Sequence, residues 1–185
     1  MTEQQRDVVE VLTHDHREVE DLFGQIEAAG GDPEKKSDLV EQVTIELVRH
    51  SVAEEQWLYP AVREKVSGGD LLADQEISEH AEVEQLLKDL ERLQPADSEY
   101  AAKLASLMSD VRQHVQEEEN ELFPKLTAAS TPDELRELGA KIERAKKTAP
   151  TRPHPSSPSA PPANKILAPG AGMIDRLRDA LTGRG

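Results

Sequence analysis

Two stretches of the chain are near-copies: HSVAEEQWLYP, from His50 to Pro60, and HVQEEENELFP, from His114 to Pro124. Each sets a glutamate four residues after a histidine, as His50 with Glu54 and His114 with Glu118. An imidazole and a carboxylate at that spacing can share a cation or exchange a proton. The offset of 64 residues recurs upstream, relating HREVEDLF at His16 to HAEVEQLL at His80. His16 to His50 and His80 to His114 both span 34 residues, so a larger unit is written twice.

On an α-helix, residues four apart lie about 40° apart, so each histidine shares a face with its glutamate. The apolar residues near His50, among them Val40, Val43, Leu47 and Leu58, share a mean direction about 40° from His50 and close to Glu54. Leu104, Leu107, Val111 and Leu122 place Glu118 in the same way. His16 and His80 lie within about 60° of their own apolar axes. Four imidazoles and two carboxylates therefore project into one interior. A lone inward histidine reads as a hydrogen-bonded core residue, and buried His–Glu pairs could satisfy one another without a cation. The symmetry and the number favour coordination. Imidazole with carboxylate and no thiolate suits iron, manganese or zinc, and the set is too large for one tetrahedral zinc. It fits two metals bridged by both glutamates.

The elements that must carry these groups are helical. Apolar spacing predicts a first helix over about 3–29 and a second from Pro33 to about Val66, separated by the stop signal GGDP. The SGGD turn precedes a third helix to about Leu93, and Asp97 is a candidate N-cap for a fourth, to about Leu126. Long helices with short connections predict an all-α, up-down-up-down four-helix bundle over 1–130, made of two repeated hairpins. TPDE, a capping box with proline at the first helical position, opens a fifth helix over 131–148. Residues 149–172 are rich in Pro, Ser and Ala and read as an extended linker. Residues 173–185 hold a short amphipathic segment built on Met173, Ile174, Leu177 and Leu181, which needs a partner to be stable.

Composition narrows the function. With 37 acidic against 22 basic residues, the net charge is −15, which argues against nucleic acid and anionic membrane as partners. Cysteine is absent, so disulfides, thiolate sites and thiol nucleophiles are excluded. The start lacks a signal-peptide pattern and no apolar run approaches a membrane span, which predicts a cytoplasmic protein.

On HDHREV, HSVAEEQWLYP, SEHAEV and HVQEEENELFP, the chain resembles the hemerythrin-like, HHE cation-binding proteins over about its first 130 residues. The resemblance implies a non-haem centre of two irons, oxo- or hydroxo-bridged, with His16, His50, Glu54, His80, His114 and Glu118 as ligands. It implies binding or processing of dioxygen, peroxide or nitric oxide, as a sensor or protective protein. Peroxide dismutation, iron buffering and a metal-stabilised interaction protein are alternatives, the last with a protein partner for the C-terminal tail. Oxygen-carrying hemerythrins have a second histidine four residues after the first on the third helix; here that position is Glu84, with Glu20 as its repeat partner. Both lie about 100° from their apolar axes, at the edge of the inward stripe, where they read as solvated or hydrogen-bonded to ligands, with metal ligation by Glu84 the alternative. Glu55 and Glu119 are expected to hydrogen-bond to ligands. Tyr59 and Phe123 read as packing, with the Tyr59 phenol a further candidate for reaching the metal. Trp57 is placed on the inner face as a gate, and His14 in solvent.

Overall fold

The computed structural model describes residues 5–161 and 163–182, without the side chains of residues 166, 181 and 182. Helix α1 (Val8–Ala28) begins at a capping box in which Asp7 accepts from Glu10 N–H and Glu10 returns the bond. Helix α2 (Pro33–Ala53) starts on Asp32 with proline in its first turn, so GGDP does stop one helix and start the next. Its continuation is not one smooth rod. A π turn covers Glu54–Leu58 and passes into α3 (Tyr59–Lys65). Gly68, at φ 74°, makes the turn into α4 (Gly69–Leu90). Helix α5 (Tyr100–Glu117), a second π turn (Glu118–Leu122) and α6 (Phe123–Ala128) follow. Asp97 is not the N-cap of α5. It accepts from Gln94 N–H in the preceding turn, and Glu99 takes the cap position.

Both π turns occur at the repeated motif, and each opens at the glutamate of a His-x-x-x-Glu pair. Tyr59 N–H reaches Glu54 O, and Phe123 N–H reaches Glu118 O, each five residues back. Pro60 and Pro124 come next; proline has no N–H to give to the residue four before it and crowds the preceding turn. The wide turn absorbs that conflict. It also changes which side chains face inward. Tyr59 stands over Glu54 and is fully buried, while Trp57 is only partly buried, at the edge of the core. Trp57 is not a gate at the centre: its ring lies under Lys165 Nζ at 3.5 Å and Lys141 Nζ at 5.4 Å.

The buried side chains form two apolar clusters. One runs from Val19, Phe23 and Ile26 on α1 to Leu104, Leu107 and Val111 on α5. The other gathers Val8, Leu12, Leu58, Tyr59, Leu122 and Phe123. Along each helix the histidines fall between the two clusters. Helix α7 (Pro132–Thr148) opens on the Thr131–Glu134 capping box and sinks Leu135, Ile142 and Ala145 into the second cluster. It packs across α1 and α2. Gly139 permits that contact, because a Cβ there would come within 2.7 Å of Arg6 O.

The tail differs most from the expectation. Its helix, α8 (Ala163–Thr182), starts about ten residues earlier than the amphipathic segment at 173, so the expected boundary at 172 falls inside a helix. Its faces are also reversed. Met173, Ile174 and Leu177 are 67%, 58% and 65% exposed, while Asp175 and Asp179 are buried; the side chain of Leu181 lies outside the described residues. Polar bonds hold the segment. Asp175 accepts from Thr151 N, Arg152 N and the His154 ring, and Asp179 pairs with Thr151 Oγ1 and Arg152. Gly172 lets α8 cross the end of α7, where a Cβ would lie 2.3 Å from Thr148 O.

Candidate metal centre

The structure brings all six expected residues together. His16, His50, Glu54 and Glu118 offer ligand atoms within 4.8 Å of one another, as do Glu54, His80 and His114. Each glutamate stands between two imidazoles. Glu54 Oε1 is 3.2 Å from His50 Nε2, and its Oε2 is 3.3 Å from His80 Nε2. Glu118 Oε2 is 3.4 Å from His16 Nε2 and 3.8 Å from His114 Nε2. All six are buried, both glutamates completely.

The outward nitrogens are held just as regularly. His16 Nδ1 lies 2.9 Å from Glu119, His50 Nδ1 3.3 Å from Asp15, His80 Nδ1 3.3 Å from Glu55, and His114 Nδ1 3.0 Å from Glu79. These partners obey the 64-residue repeat: Glu55 matches Glu119, and Asp15 matches Glu79. A carboxylate on Nδ1 fixes ring orientation and tautomer, leaving Nε2 as the coordinating atom. Glu55 and Glu119 take the role expected of them. Asp15 and Glu79 were missed, although the signal was present: an acid directly precedes His16 and His80 in both copies.

Two residues break the symmetry. Tyr59 O–H lies 3.0 Å from His80 Nε2, 3.2 Å from Glu118 Oε1 and 3.5 Å from Glu54 Oε2, where the repeat has Phe123. The packing role alone is therefore corrected, because the π turn delivers the phenol to the centre. Glu76, one turn before His80, is buried with Oε2 2.8 Å from His114 Nδ1, and joins a third group with His114 and Glu118. Its repeat counterpart is Leu12. Glu84 and Glu20 lie outside all three groups. Glu84 accepts the backbone N–H of His154 at 2.7 Å, and Glu20 is engaged by Arg112 at 2.8 and 3.0 Å. His14 is exposed, as expected.

Charge at the site is frustrated. Burial disfavours charge on His50, but Glu54 and Asp15 outweigh it and push the imidazole up to about 10. His80 and His114 also rise against their burial, under Glu54 and Glu55 in one case and Glu118, Glu76 and Glu79 in the other. Glu54 is buried, yet His50 and His80 draw it well below the usual carboxylate range. Burial raises Glu76, only partly offset by His114. Burial also raises Tyr59, with Glu118 and Glu54 adding to it, so the phenol keeps its proton. His16 Nε2, Glu54 Oε1, Glu118 Oε2 and Glu76 Oε2 are buried without a hydrogen-bond partner. Buried polar atoms are rarely left so. His16, Glu54 and Glu118 fall in one group and Glu76 and Glu118 in another, so these atoms fit cations that would accept their lone pairs.

Comparison with known proteins agrees. The hemerythrin HHE cation-binding domain family matches residues 7–126. An uncharacterised hemerythrin-like protein of Schizosaccharomyces pombe is 31% identical over 176 residues, covering 94% of this chain and 86% of that one. Such coverage leaves about eleven residues outside, so the likeness runs through α7 and into α8. A DNA nickase of a Nostoc species is 28% identical over 144 residues, 77% of this chain but 40% of the nickase. Among solved structures, a hemerythrin HHE cation-binding domain-containing protein from Mycobacterium kansasii superposes with a TM-score of 0.66 at 27% identity, covering 77% of this chain and 88% of that one. No helix among the described residues is long and apolar enough to cross a membrane. With the matched region holding every residue of the His–Glu centre, the chain belongs to the hemerythrin HHE cation-binding domain family.

Proposed function

We propose that the centre holds two iron ions and that the protein binds or processes dioxygen, peroxide or nitric oxide, as a sensor or protective protein. The observation that carries this is the twofold set of inward Nε2 atoms around two shared carboxylates. His16 and His50 would hold one ion and His80 and His114 the other, with Glu54 and Glu118 common to both. The donor set contains no thiolate and two anionic oxygens per position, which suits iron. Two irons would supply electrons to an oxygen- or nitrogen-centred ligand. The protein's own part is to orient the imidazoles through their Nδ1 partners and to keep a proton on Tyr59. Metal analysis and an optical spectrum of protein made with iron available test this: two irons per chain are expected, and one tightly bound zinc would overturn it.

Peroxide dismutation is a second reading, favoured by Tyr59. Its hydroxyl is a buried proton donor within 3.5 Å of both shared carboxylates. Two peroxide molecules give one dioxygen and two waters, with no outside reductant. Oxygen evolution from added peroxide, slowed in Tyr59→Phe without iron loss, is the expected result. The activity named for the Nostoc relative is not carried over, because this chain spans 40% of it and carries a net charge of −15.

A further inference from the structure

We propose that the tail builds a second binding site, beside the metal centre, for a small molecule with an apolar body and one O–H donor. The segment between α7 and α8 runs back over α2 and α4 and encloses a cavity of about 120 Å³. Val48 and Val52 of α2 and Val83 and Leu87 of α4 supply apolar walls on one side. Pro155, Ala168 and Ala171 of the tail supply them on the other. His80 and Glu55 also line it, so an occupant would sit against the second half of the centre.

Several polar groups of the lining already have partners. Glu84 accepts from His154 N–H, and Glu55 faces His80 Nδ1. Asn164 differs. It is 4% exposed, its Nδ2 donates to Ser159 O at 2.9 Å, and its backbone carbonyl accepts from Gln56 Nε2 at 3.3 Å. The Ser159 bond fixes the side-chain amide, and Oδ1 is left buried with no partner. Among the described residues, Asn164 is the one lining residue that carries such an atom. A buried acceptor without a donor is costly, so the site asks its ligand for an O–H. The apolar walls ask for carbon over the rest of the ligand. An engineered cavity of about 150 Å³ admits benzene, so the space here suits about five or six heavy atoms. The chemical class is a short-chain alcohol or organic hydroperoxide.

The site rests on the tail's geometry and needs no metal, so it can be tested on the full chain with and without iron. The probes are 1-butanol and diethyl ether, which have the same atoms but differ in whether they donate. Saturation-transfer NMR titrations should show 1-butanol binding at millimolar concentration, about fivefold tighter than the ether. Asn164→Leu should remove that preference. Ala168→Phe should abolish binding of both probes, with Ala171→Leu as a second filling variant if the first disturbs the helix. Circular dichroism and iron content should stay unchanged in each. Equal affinity for the two probes, no binding of either, or binding that survives both filling variants would overturn the proposal. Loss of iron without loss of 1-butanol binding would bear on the metal reading alone.

Discussion

The two halves of the centre share a framework but differ in their chemistry. In the half made by His16 and His50, the neighbouring repeat positions are Leu12 and Phe123. In the half made by His80 and His114 they are Glu76 and Tyr59, both buried and both within reach of the inward ligands. The outer supports differ too. Asp15, behind His50, is paired with the Lys146 ammonium at 2.6 Å, whereas Glu79, behind His114, receives a neutral amide from Gln75 at 3.1 Å. Repetition thus keeps the imidazoles and their partners in place, while single substitutions make one half apolar and the other rich in oxygen. In the proposed pair of irons, hard anionic oxygen would favour the higher metal charge at the second position.

The most severe test removes what the halves share. Glu54→Ala or Glu118→Ala should strip both positions of metal, because each carboxylate serves two imidazoles. Glu20→Ala and Glu84→Ala should leave metal content close to normal. Equal loss in Glu84→Ala would show that the centre extends beyond the three groups found.

Protons provide the next contrast. His50, His80 and His114 are all raised in the metal-free protein. A raised folded value gives stability that is fully present below the ordinary 6.5 and is lost as pH rises through the folded value, about 10 for His50. The metal-free protein should therefore melt at progressively lower temperature from pH 6.5 towards pH 10. Bound metal replaces those protons, so the loaded protein should not show this decline. Thermal melts of both forms across that range decide it.

A smaller effect should follow from making the second half resemble the first. For the proposed pair of irons, the parent should give two distinct Mössbauer signals, and the double variant Tyr59→Phe, Glu76→Leu should retain both ions while the signals converge. Unchanged inequivalence would mean that the outer supports set it. Those supports are tested directly by Lys146→Met, which should weaken the first position by up to about tenfold and leave the second alone. Gln75→Leu should do less at either. Metal titration with a spectroscopic signature for each position distinguishes them.

The sequence told most about residues governed by a simple period. The six inward groups follow from spacing and a helical wheel, and the capping residues Asp32 and Thr131 announce their helices. What it hid depended on departures from regular geometry or on distant contacts. A uniform wheel cannot anticipate a π turn, so it placed Trp57 inward and left Tyr59 to packing. Glu76 is one helical turn from His80, but only the approach of α5 gives it His114 as a neighbour. The tail misled for another reason. Its apolar residues suggested the buried face, yet Thr151, Arg152 and His154 seat the aspartates instead.

Each π turn also sets a phase. One extra residue within a single turn rotates everything beyond it by about 100° relative to a continuous α-helix. Five residues fill the step from Glu54 to Tyr59 where a regular helix uses four, so Tyr59 stands over Glu54 as a residue four away would. Deleting one residue from Glu55–Leu58 would close the ladder to α and leave Tyr59 and Val62 facing inward. Closing it with that residue kept, as in Pro60→Ala, would instead turn α3 about its own axis and carry both side chains away from the interior. The proline that opens the turn therefore also chooses the face that α3 presents to the centre.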